Sequence, residues 1–383
     1  MKTVYSATVR ACILFMLCLL YGHKAFAEVR NSPPPSTDDY IAVNDVTVTP
    51  GADDTYRVEV SFVGTRIYTA YEMDILFPPG LEPVLSYDEE EEENTYCLKA
   101  EGGICKKSHS IVSSFGKITP TTMRLSCLSL KSHLLSEKSG KLFYFMVKAS
   151  PYLKPGDVTL KVTNLHFITA ENAQQYNCKD QTLTLHAQPE SSVLLMVSGE
   201  SHYGTCVLPF DVKVLPSGVK AFSTKKLDST GTFVVLDEVQ QMAAYTPYIL
   251  YSDGGYTGTL SGEVDESRYA ATVTDGFLRG AVAPVAKTDG YVLQDLGEGA
   301  KFYAMDGQTF NIPEGKCWME LPAMPAAAPF YGILIGDDAT GITAPHTVLS
   351  PHTPVFSLDG KRVITMQLGG IYVMNGKKVL KIN

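Results

Sequence analysis

The chain has 383 residues and a formal net charge of −9, with 45% hydrophobic and 19% charged residues. This composition is typical of a globular chain and excludes a disordered one, and the length predicts about two domains. The acidic balance argues against a nucleic-acid partner, which selects a basic face, and against electrostatic docking on an anionic membrane.

The first 27 residues predict a removable export signal. Lys2 and Arg10 precede an apolar run over residues 11–21, and Ala25-Phe26-Ala27 matches the small-x-small pattern that signal peptidase recognises. The run is shorter than the roughly 20 residues that a spanning helix needs. We therefore expect cleavage after Ala27, no transmembrane segment in the mature chain, and an extracellular or outer-surface location, with the periplasm left open.

Removal of the signal leaves six of the eight cysteines, an even number that permits disulfides in an exported protein. The six candidates are Cys97, Cys105, Cys127, Cys178, Cys206 and Cys317. The short spacing of the first two suggests a bridged loop, and Cys127 could then pair with Cys178 and Cys206 with Cys317, which is one of the 15 pairings that six cysteines allow. Reduced, buried thiols are the alternative, and the spacings do not match a structural zinc site.

The first large block of the sequence predicts a β-sandwich. After a linker over residues 28–39, the block over residues 40–187 contains short strand patterns separated by turns rich in Pro and Gly. Residues 56–62 and 158–163 alternate apolar and polar side chains, as half-buried strands do. Residues 141–149 are apolar on both faces, which indicates a central strand.

This block resembles the cohesin-like and carbohydrate-binding-like β-sandwiches of bacterial extracellular proteins. The resemblance is carried by residues 41–48, by residues 71–81 with their Pro-Pro-Gly-Leu turn, and by residues 156–164. It implies a closed sandwich of the same fold. Cohesins proper bind dockerin modules, whereas relatives of that fold bind glycans or serve as spacers, so the resemblance leaves the ligand open.

A second all-β module is predicted over residues 190–336, with the same succession of strands and turns. Gly254-Gly255 and Asp289-Gly290 within it predict hairpin turns. The block is similar to a recurrent all-β module of secreted bacterial proteins, and this similarity implies an architecture without implying an activity.

A linker over residues 337–353 and a small β tail over residues 354–383 complete the predicted order. Asn375-Gly376 in the tail is the strongest short hairpin signal in the chain. Residues 356–363 and 370–379 make the tail similar to the C-terminal sorting domains of type IX secretion substrates. The similarity implies delivery to the cell surface or release from it.

The sequence contains none of the common catalytic motifs for zinc proteases, nucleophile elbows, P-loops or dinucleotide-binding folds. The acidic run over residues 88–93 lacks the alternating ligands and Gly bend of a calcium loop and predicts a solvated loop tip. We therefore expect no enzyme activity, no metal and no cofactor.

One aromatic cluster is a candidate ligand site, because a sugar stacks its apolar face on an aromatic ring while hydroxyls and carboxylates satisfy its polar rim. Its predicted members are Tyr245, Tyr248, Tyr251, Asp253 and Tyr256. The competing interpretation is that Tyr is an ordinary strand residue.

Together these features predict a non-catalytic secreted or cell-surface protein for binding or adhesion. Its first β-sandwich would bind a polysaccharide or a partner protein, without nucleic acid. The alternatives are a glycan-active enzyme or an accessory of polysaccharide breakdown, whose acids would be paired carboxylates in a cleft, and a purely structural surface spacer.

Overall fold

The computed structural model describes residues 34–89, 91–270, 272–321 and 328–335, together with the strand residues 355–357, 362–363, 371–374 and 377–380. This part of the chain is built from strands, and its one helical element is a 3₁₀ turn at Glu266–Arg268. The predicted all-β class is confirmed. No helix among these residues is long and apolar enough to cross a membrane.

The chain divides into two units between Ser192 and Val193. The predicted export signal with Ala27, and the predicted linker over residues 337–353, lie outside the described residues. The boundaries predicted for the individual modules therefore remain expectations from the sequence.

The first unit contains fifteen complete strands, which join into two main sheets and one small hairpin. They are β1 (Ser36–Thr37), β2 (Tyr40–Val43), β3 (Thr47–Val48), β4 (Tyr56–Val63), β5 (Ala70–Leu76), β6 (Leu81–Val84), β7 (Ser86–Asp88), β8 (Glu93–Thr95), β9 (Leu98–Lys99), β10 (His109–Phe115), β11 (Thr122–Ser129), β12 (Ser139–Ala149), β13 (Gly156–Ile168), β14 (Gln175–Cys178) and β15 (Gln181–Ala187). The eight-stranded sheet follows the order β1-β14-β13-β5-β11-β10, with β15 beside β13 and β3 beside β15. The five-stranded sheet follows the order β2-β4-β12-β6, with β9 beside β12.

The two sheets share one hydrophobic core, which makes the first unit a β-sandwich. In β4 the side chains of Val58, Val60 and Phe62 are fully buried, and the residues between them face outward. Strand alternation sends every second side chain to the same face, so each sheet covers the other with its apolar side. The contact of Phe62 in β4 with Phe167 in β13, at 4.5 Å between ring centroids, joins the two sheets.

A β-bulge in β13 changes which side chains point into this core. The register of β13 against β5 shifts between Thr163 and His166, and Asn164 within the bulge has a φ of 53°. Val162 is buried before the bulge, whereas Leu165 is buried after it. The extra residue therefore restores apolar burial in the second half of the strand, and it turns Asn164 and His166 to the outer side of the sheet.

The end of the predicted linker belongs to the sandwich. Ser36–Thr37 forms β1, which pairs in parallel with β14. Asp39 is buried, and its carboxylate accepts hydrogen bonds from the Tyr68 hydroxyl at 2.5 Å and from the Thr65 amide at 2.9 Å. Burial alone would raise the pKa of Asp39, but these hydrogen bonds lower it below its ordinary value, so the carboxylate is held as an anion.

The described strands of the second unit form one ten-stranded sheet and several smaller sheets. Its strands, the first of which begins just before the boundary, are β16 (Glu190–Val197), β17 (Tyr203–Cys206), β18 (Lys220–Leu227), β19 (Phe233–Val239), β20 (Tyr248–Tyr251), β21 (Tyr256–Glu263), β22 (Thr272–Asp275), β23 (Leu278–Ala281), β24 (Val285–Lys287), β25 (Tyr291–Asp295), β26 (Ala300–Ala304), β27 (Phe310–Ile312), β28 (Cys317–Met319), β29 (Phe330–Ile335), β30 (Val355–Ser357), β31 (Arg362–Val363), β32 (Ile371–Met374) and β33 (Lys377–Leu380). The large sheet follows the order β17-β20-β18-β19-β29-β26-β25-β28-β23-β22, while β16 pairs with β21, β24 with β27, and the last four strands form a sheet β31-β30-β32-β33.

Two of the predicted hairpins are wrong. The turn at Gly254-Gly255 connects β20 to β21, and the turn at Asp289-Gly290 connects β24 to β25, but in each case the two strands belong to different sheets. Both turns do form, with Gly255 and Gly290 at positive φ. In the tail, β32 and β33 pair antiparallel with Met374 opposite Lys377, and Asn375-Gly376 lies outside the described residues.

The six cysteines outside the predicted signal are all free thiols in the structure, so none of the three predicted disulfides is present there. The Cys97 thiol contacts the Met123 sulfur at 3.7 Å and has no contact with Cys105 among the described hydrogen bonds. Cys105 instead lies beside Cys127, whose thiol hydrogen bonds to it. The neighbour of Cys127 is therefore Cys105 and not the predicted Cys178. The predicted partners Cys206 and Cys317 do lie together, because the Cys317 thiol donates to the Cys206 carbonyl oxygen at 3.3 Å.

The half-buried thiols of Cys105 and Cys178 should react at very different rates with a thiol reagent. A hydrogen bond from Cys127 lowers the pKa of Cys105, whereas burial and the charge of Asp39 raise the pKa of Cys178 to about 12. The thiolate is the reactive form, so we expect iodoacetamide at about pH 7.5 to modify Cys105 at least about tenfold faster than Cys178 in the reduced protein.

Timed quenching and peptide mass spectrometry would measure the two rates. The variant Cys105→Ser should lose the fast site, while Cys178→Ser should keep it. Equal rates at the two positions would contradict the prediction.

Candidate functional site

Four neighbouring strands of the eight-stranded sheet, β10, β11, β5 and β13, carry polar side chains on the side away from the core. Alternate residues such as Met73 and Leu125 are buried, so the residues that flank them lie on the outer side. We call this surface the outer polar face; its members are Glu72, Asp74, Arg124, Ser126, Asn164 and His166, with Val112 and Leu130 at its border.

Strand register places these members in a row across the sheet. Val112 in β10 lies opposite Ser126 in β11, Ser126 lies opposite Glu72 in β5, and Glu72 lies opposite His166 in β13. In the same way Arg124 lies opposite Asp74. The face therefore spans four strands, from β13 to β10 at the edge of the sheet, and the backbone hydrogen bonds between these strands fix the positions of its side chains.

Asp74 is the centre of the face. Arg124 binds it with two parallel hydrogen bonds of 2.7 Å, from Nε to Oδ1 and from Nη2 to Oδ2, and the Asn164 amide donates to Oδ2 at 2.6 Å. The Asp74 side chain is 4% exposed, whereas the Arg124 side chain is 43% exposed. A bidentate pair of this kind fixes the guanidinium plane and still leaves part of it open to solvent.

The electrostatics of this pair are consistent with two charged groups. Burial alone would raise the pKa of Asp74, but the hydrogen bonds from Arg124 and Asn164, together with the Arg124 charge, lower it below its ordinary value. The hydrogen bond to Asp74 in turn raises the pKa of Arg124. Both groups therefore stay ionised at neutral pH.

The rest of the face offers polar groups with remaining capacity and two exposed apolar side chains. The Ser126 hydroxyl donates to Glu72 at 3.0 Å, and the imidazole Nδ1 of His166 lies 3.0 Å from the Asn164 carbonyl oxygen. Val112 is 53% exposed and Leu130, just after β11, is 73% exposed. Mixed polar and apolar groups spread across four strands suit contact with a macromolecule better than enclosure of a small ligand.

The predicted tyrosine cluster is divided by the structure. Tyr245 and Tyr248 are buried, and the Tyr248 hydroxyl accepts a hydrogen bond from the Ala243 amide at 3.0 Å. Tyr251 donates to Asp253 at the surface, and this hydrogen bond raises the pKa of Tyr251 to about 12. Tyr256 is half-buried in β21. The four rings do not form one platform, and the ligand role of the cluster stays a prediction.

Local sequence patterns did not identify the outer polar face. Asp74 is separated from Arg124 by 50 positions and from Asn164 by 90 positions. The one available signal in the sequence was the polar residue at every second position of a strand. Any solvent-exposed sheet face shows the same pattern, so the signal does not indicate a binding site. In the described part of the chain, no group of three or more His, Cys, Asp or Glu side chains is arranged to hold a metal ion.

No protein-family model and no curated protein matches the chain. Among solved structures it is similar to cohesins. A non-cellulosomal cohesin from the hyperthermophilic archaeon Archaeoglobus fulgidus is 10% identical with a TM-score of 0.30, over 40% of this chain and 92% of that one. A chain in a type I cohesin–dockerin complex from Clostridium thermocellum is 14% identical with a TM-score of 0.30, over 40% of this chain and 100% of that one.

A type II cohesin from the cellulosome of Acetivibrio cellulolyticus is 11% identical with a TM-score of 0.29, over 39% of this chain and 95% of that one. The neighbours are thus of the class that the first block resembles in sequence. At identities and TM-scores of this size, the likeness does not extend to function.

Replacement of Asp74 by Asn should destabilise the first unit in a pH-dependent way. At about pH 7 the variant loses charged hydrogen bonds, and we expect a loss of about 1–3 kcal/mol in the free energy of unfolding. The folded pKa of Asp74 lies below its unfolded value of about 3.9, so the wild-type advantage is present above that value and is lost as pH falls through the folded pKa.

Urea unfolding of both proteins at about pH 7 and about pH 3 would measure this difference. Asp157→Asn is the matched control, because Asp157 pairs with His186 on the same sheet but is exposed, and it should change stability by less than about 0.5 kcal/mol. A difference between Asp74→Asn and wild type that is the same at both pH values would contradict the prediction.

Proposed function

We propose that the chain is an exported, non-catalytic binding protein whose first unit recognises a partner protein through the outer polar face. The observation that carries this proposal is the half-exposed Arg124 guanidinium, held in one orientation by the buried Asp74 carboxylate. A side chain that is already ordered loses little conformational entropy on binding, and arginine is enriched at the energetic centres of protein interfaces.

The chemistry of the face defines the partner. Arg124 can donate hydrogen bonds to acceptors of the partner, and Glu72 can accept hydrogen bonds from its donors. The exposed side chains of Val112 and Leu130 can pack against apolar groups of the partner. A protein surface supplies all three within a patch of this width. A polysaccharide is typically bound through stacking on Phe, Tyr or Trp rings, and none of the residues that define the face is of these three types.

The location of the protein is part of the same proposal. The signal pattern over residues 1–27 supports export, and the tail over residues 354–383, with its similarity to sorting domains, supports delivery to the cell surface or release from it. A binding face on a rigid sandwich suits an adhesion or assembly role in that compartment.

The proposal predicts that a charge placed on the border of the face will weaken partner binding. The chain without residues 1–27 would be immobilised to capture its partner from the secreted proteins of the cells that produce it. The affinity of the purified partner would then be measured by biolayer interferometry. We expect Val112→Asp and Leu130→Asp each to weaken binding by at least about tenfold, equivalent to about 1.4 kcal/mol.

Val214→Asp is the matched control, since Val214 is 82% exposed in the second unit, and it should change the affinity by less than about twofold. All three substitutions are at exposed positions, so equal melting temperatures would show that the fold is retained. A partner that binds all three variants like the wild type would refute the assignment to this face.

A further inference from the structure

The second unit contains a concave site that differs in shape and chemistry from the outer polar face. A groove of about 700 Å³ is walled by strands β17, β25 and β27 and by the loops at residues 198–201 and 313–316. We call it the second-unit groove. The lining residues used below are Glu200, Tyr203, Gln294, Asp295, Phe310 and Lys316.

The groove carries both hydrogen-bond donors and acceptors. Asp295 is oriented by the amides of Gly297 and Gly299, which donate to its Oδ1 at 2.8 Å and 3.1 Å. The Lys316 ammonium donates to the Thr205 carbonyl oxygen at 3.4 Å. Gln294, half-buried, adds an amide with two donors and one acceptor oxygen.

The charges of the groove disfavour an anionic ligand. The lining residues include two carboxylates, Glu200 and Asp295, and one ammonium group, Lys316, so the negative charges outnumber the positive one. Within the described residues, the Glu200 carboxylate takes part in no hydrogen bond or ion pair, so it is available to accept hydrogen bonds from a ligand.

Two half-buried aromatic rings line the same groove, from Tyr203 and Phe310. Tyr203 packs edge to face against Tyr251 with 5.1 Å between ring centroids, which fixes its ring at the wall. Burial raises the pKa of Tyr203, so its hydroxyl keeps its proton and can donate. The predicted ligand residue Tyr251 thus borders the groove without lining it.

We propose that the second-unit groove binds a neutral oligosaccharide. Sugar rings combine an apolar C–H face, which stacks on an aromatic ring, with hydroxyls that both donate and accept hydrogen bonds, and the groove offers partners for each. Its volume lies within the range of about 300–1,000 Å³ that is typical of ligand sites. The site does not depend on the function proposed for the first unit, because every residue used belongs to the second unit.

The test uses the chain without residues 1–27 and measures the binding of five soluble oligosaccharides and one peptide by isothermal titration calorimetry. The neutral probes are cellohexaose, maltohexaose, xylohexaose and mannohexaose; the anionic probe is hexagalacturonate, and hexalysine is the cationic peptide probe. We expect at least one neutral hexaose to bind with a dissociation constant of about 1 mM or tighter, and at least about tenfold tighter than hexagalacturonate and hexalysine.

Variants then assign the binding to the groove. Gln294→Ala, Glu200→Gln and Phe310→Ala should each weaken the neutral sugar by at least about fivefold. The matched controls are Glu263→Gln, at the end of β21, and Phe330→Ala, an exposed phenylalanine of β29, because both positions lie outside the groove. The controls should stay within about twofold of the wild type.

Phe310 is half-buried, so melting temperatures would be measured for all variants; Gln294→Ala and Glu200→Gln keep the test valid if Phe310→Ala unfolds. The proposal is overturned if no neutral hexaose binds at millimolar concentration, if hexagalacturonate or hexalysine binds more tightly, or if the groove variants bind like the controls. Val112→Asp should leave sugar binding unchanged, which separates this test from the test of the outer polar face.

Discussion

The packing of Phe167 between the two sheets is the interaction on which the first unit depends. Its ring centroid lies 4.5 Å from Phe62, 4.9 Å from Tyr68 and 5.9 Å from Tyr71, so it contacts both sheets at once. Phe167 faces inward because the bulge in β13 shifts the alternation by one residue. The same shift turns Asn164 outward to Asp74, and the bulge therefore sets both the core and the outer polar face.

Two buried carboxylates are held in the first unit by the same physical rule. Asp39 accepts hydrogen bonds from Tyr68 and Thr65, and Asp74 accepts them from Arg124 and Asn164. An ionised carboxylate without such donors would be costly to bury. At Asp39 the donors join the segment between β1 and β2 to the core. At Asp74 they order the Arg124 cation at the surface, which is the basis of the recognition proposed for this face.

The two units would recognise ligands in different ways. The outer polar face combines an Arg124 oriented by Asp74 with exposed apolar side chains, which suits a protein surface. The second-unit groove is concave and combines the rings of Tyr203 and Phe310 with polar groups of both kinds, which suits a sugar. Burial of Tyr245 and Tyr248 leaves the groove, and not the tyrosine cluster as a whole, as the site with aromatic walls.

The sequence by itself determined the all-β class and many of the individual strands, because alternation over a run such as residues 56–62 depends only on neighbours in the chain. It also located the turn at Gly254-Gly255, where glycine accommodates positive φ. Only the tertiary structure decided that the two strands joined by that turn belong to different sheets, where β13 carries its bulge, and that Asp74 meets Arg124. Strand pairing follows from the burial of whole sheet faces, and the residues that meet there are separated by 50 or more positions, beyond the reach of a local pattern.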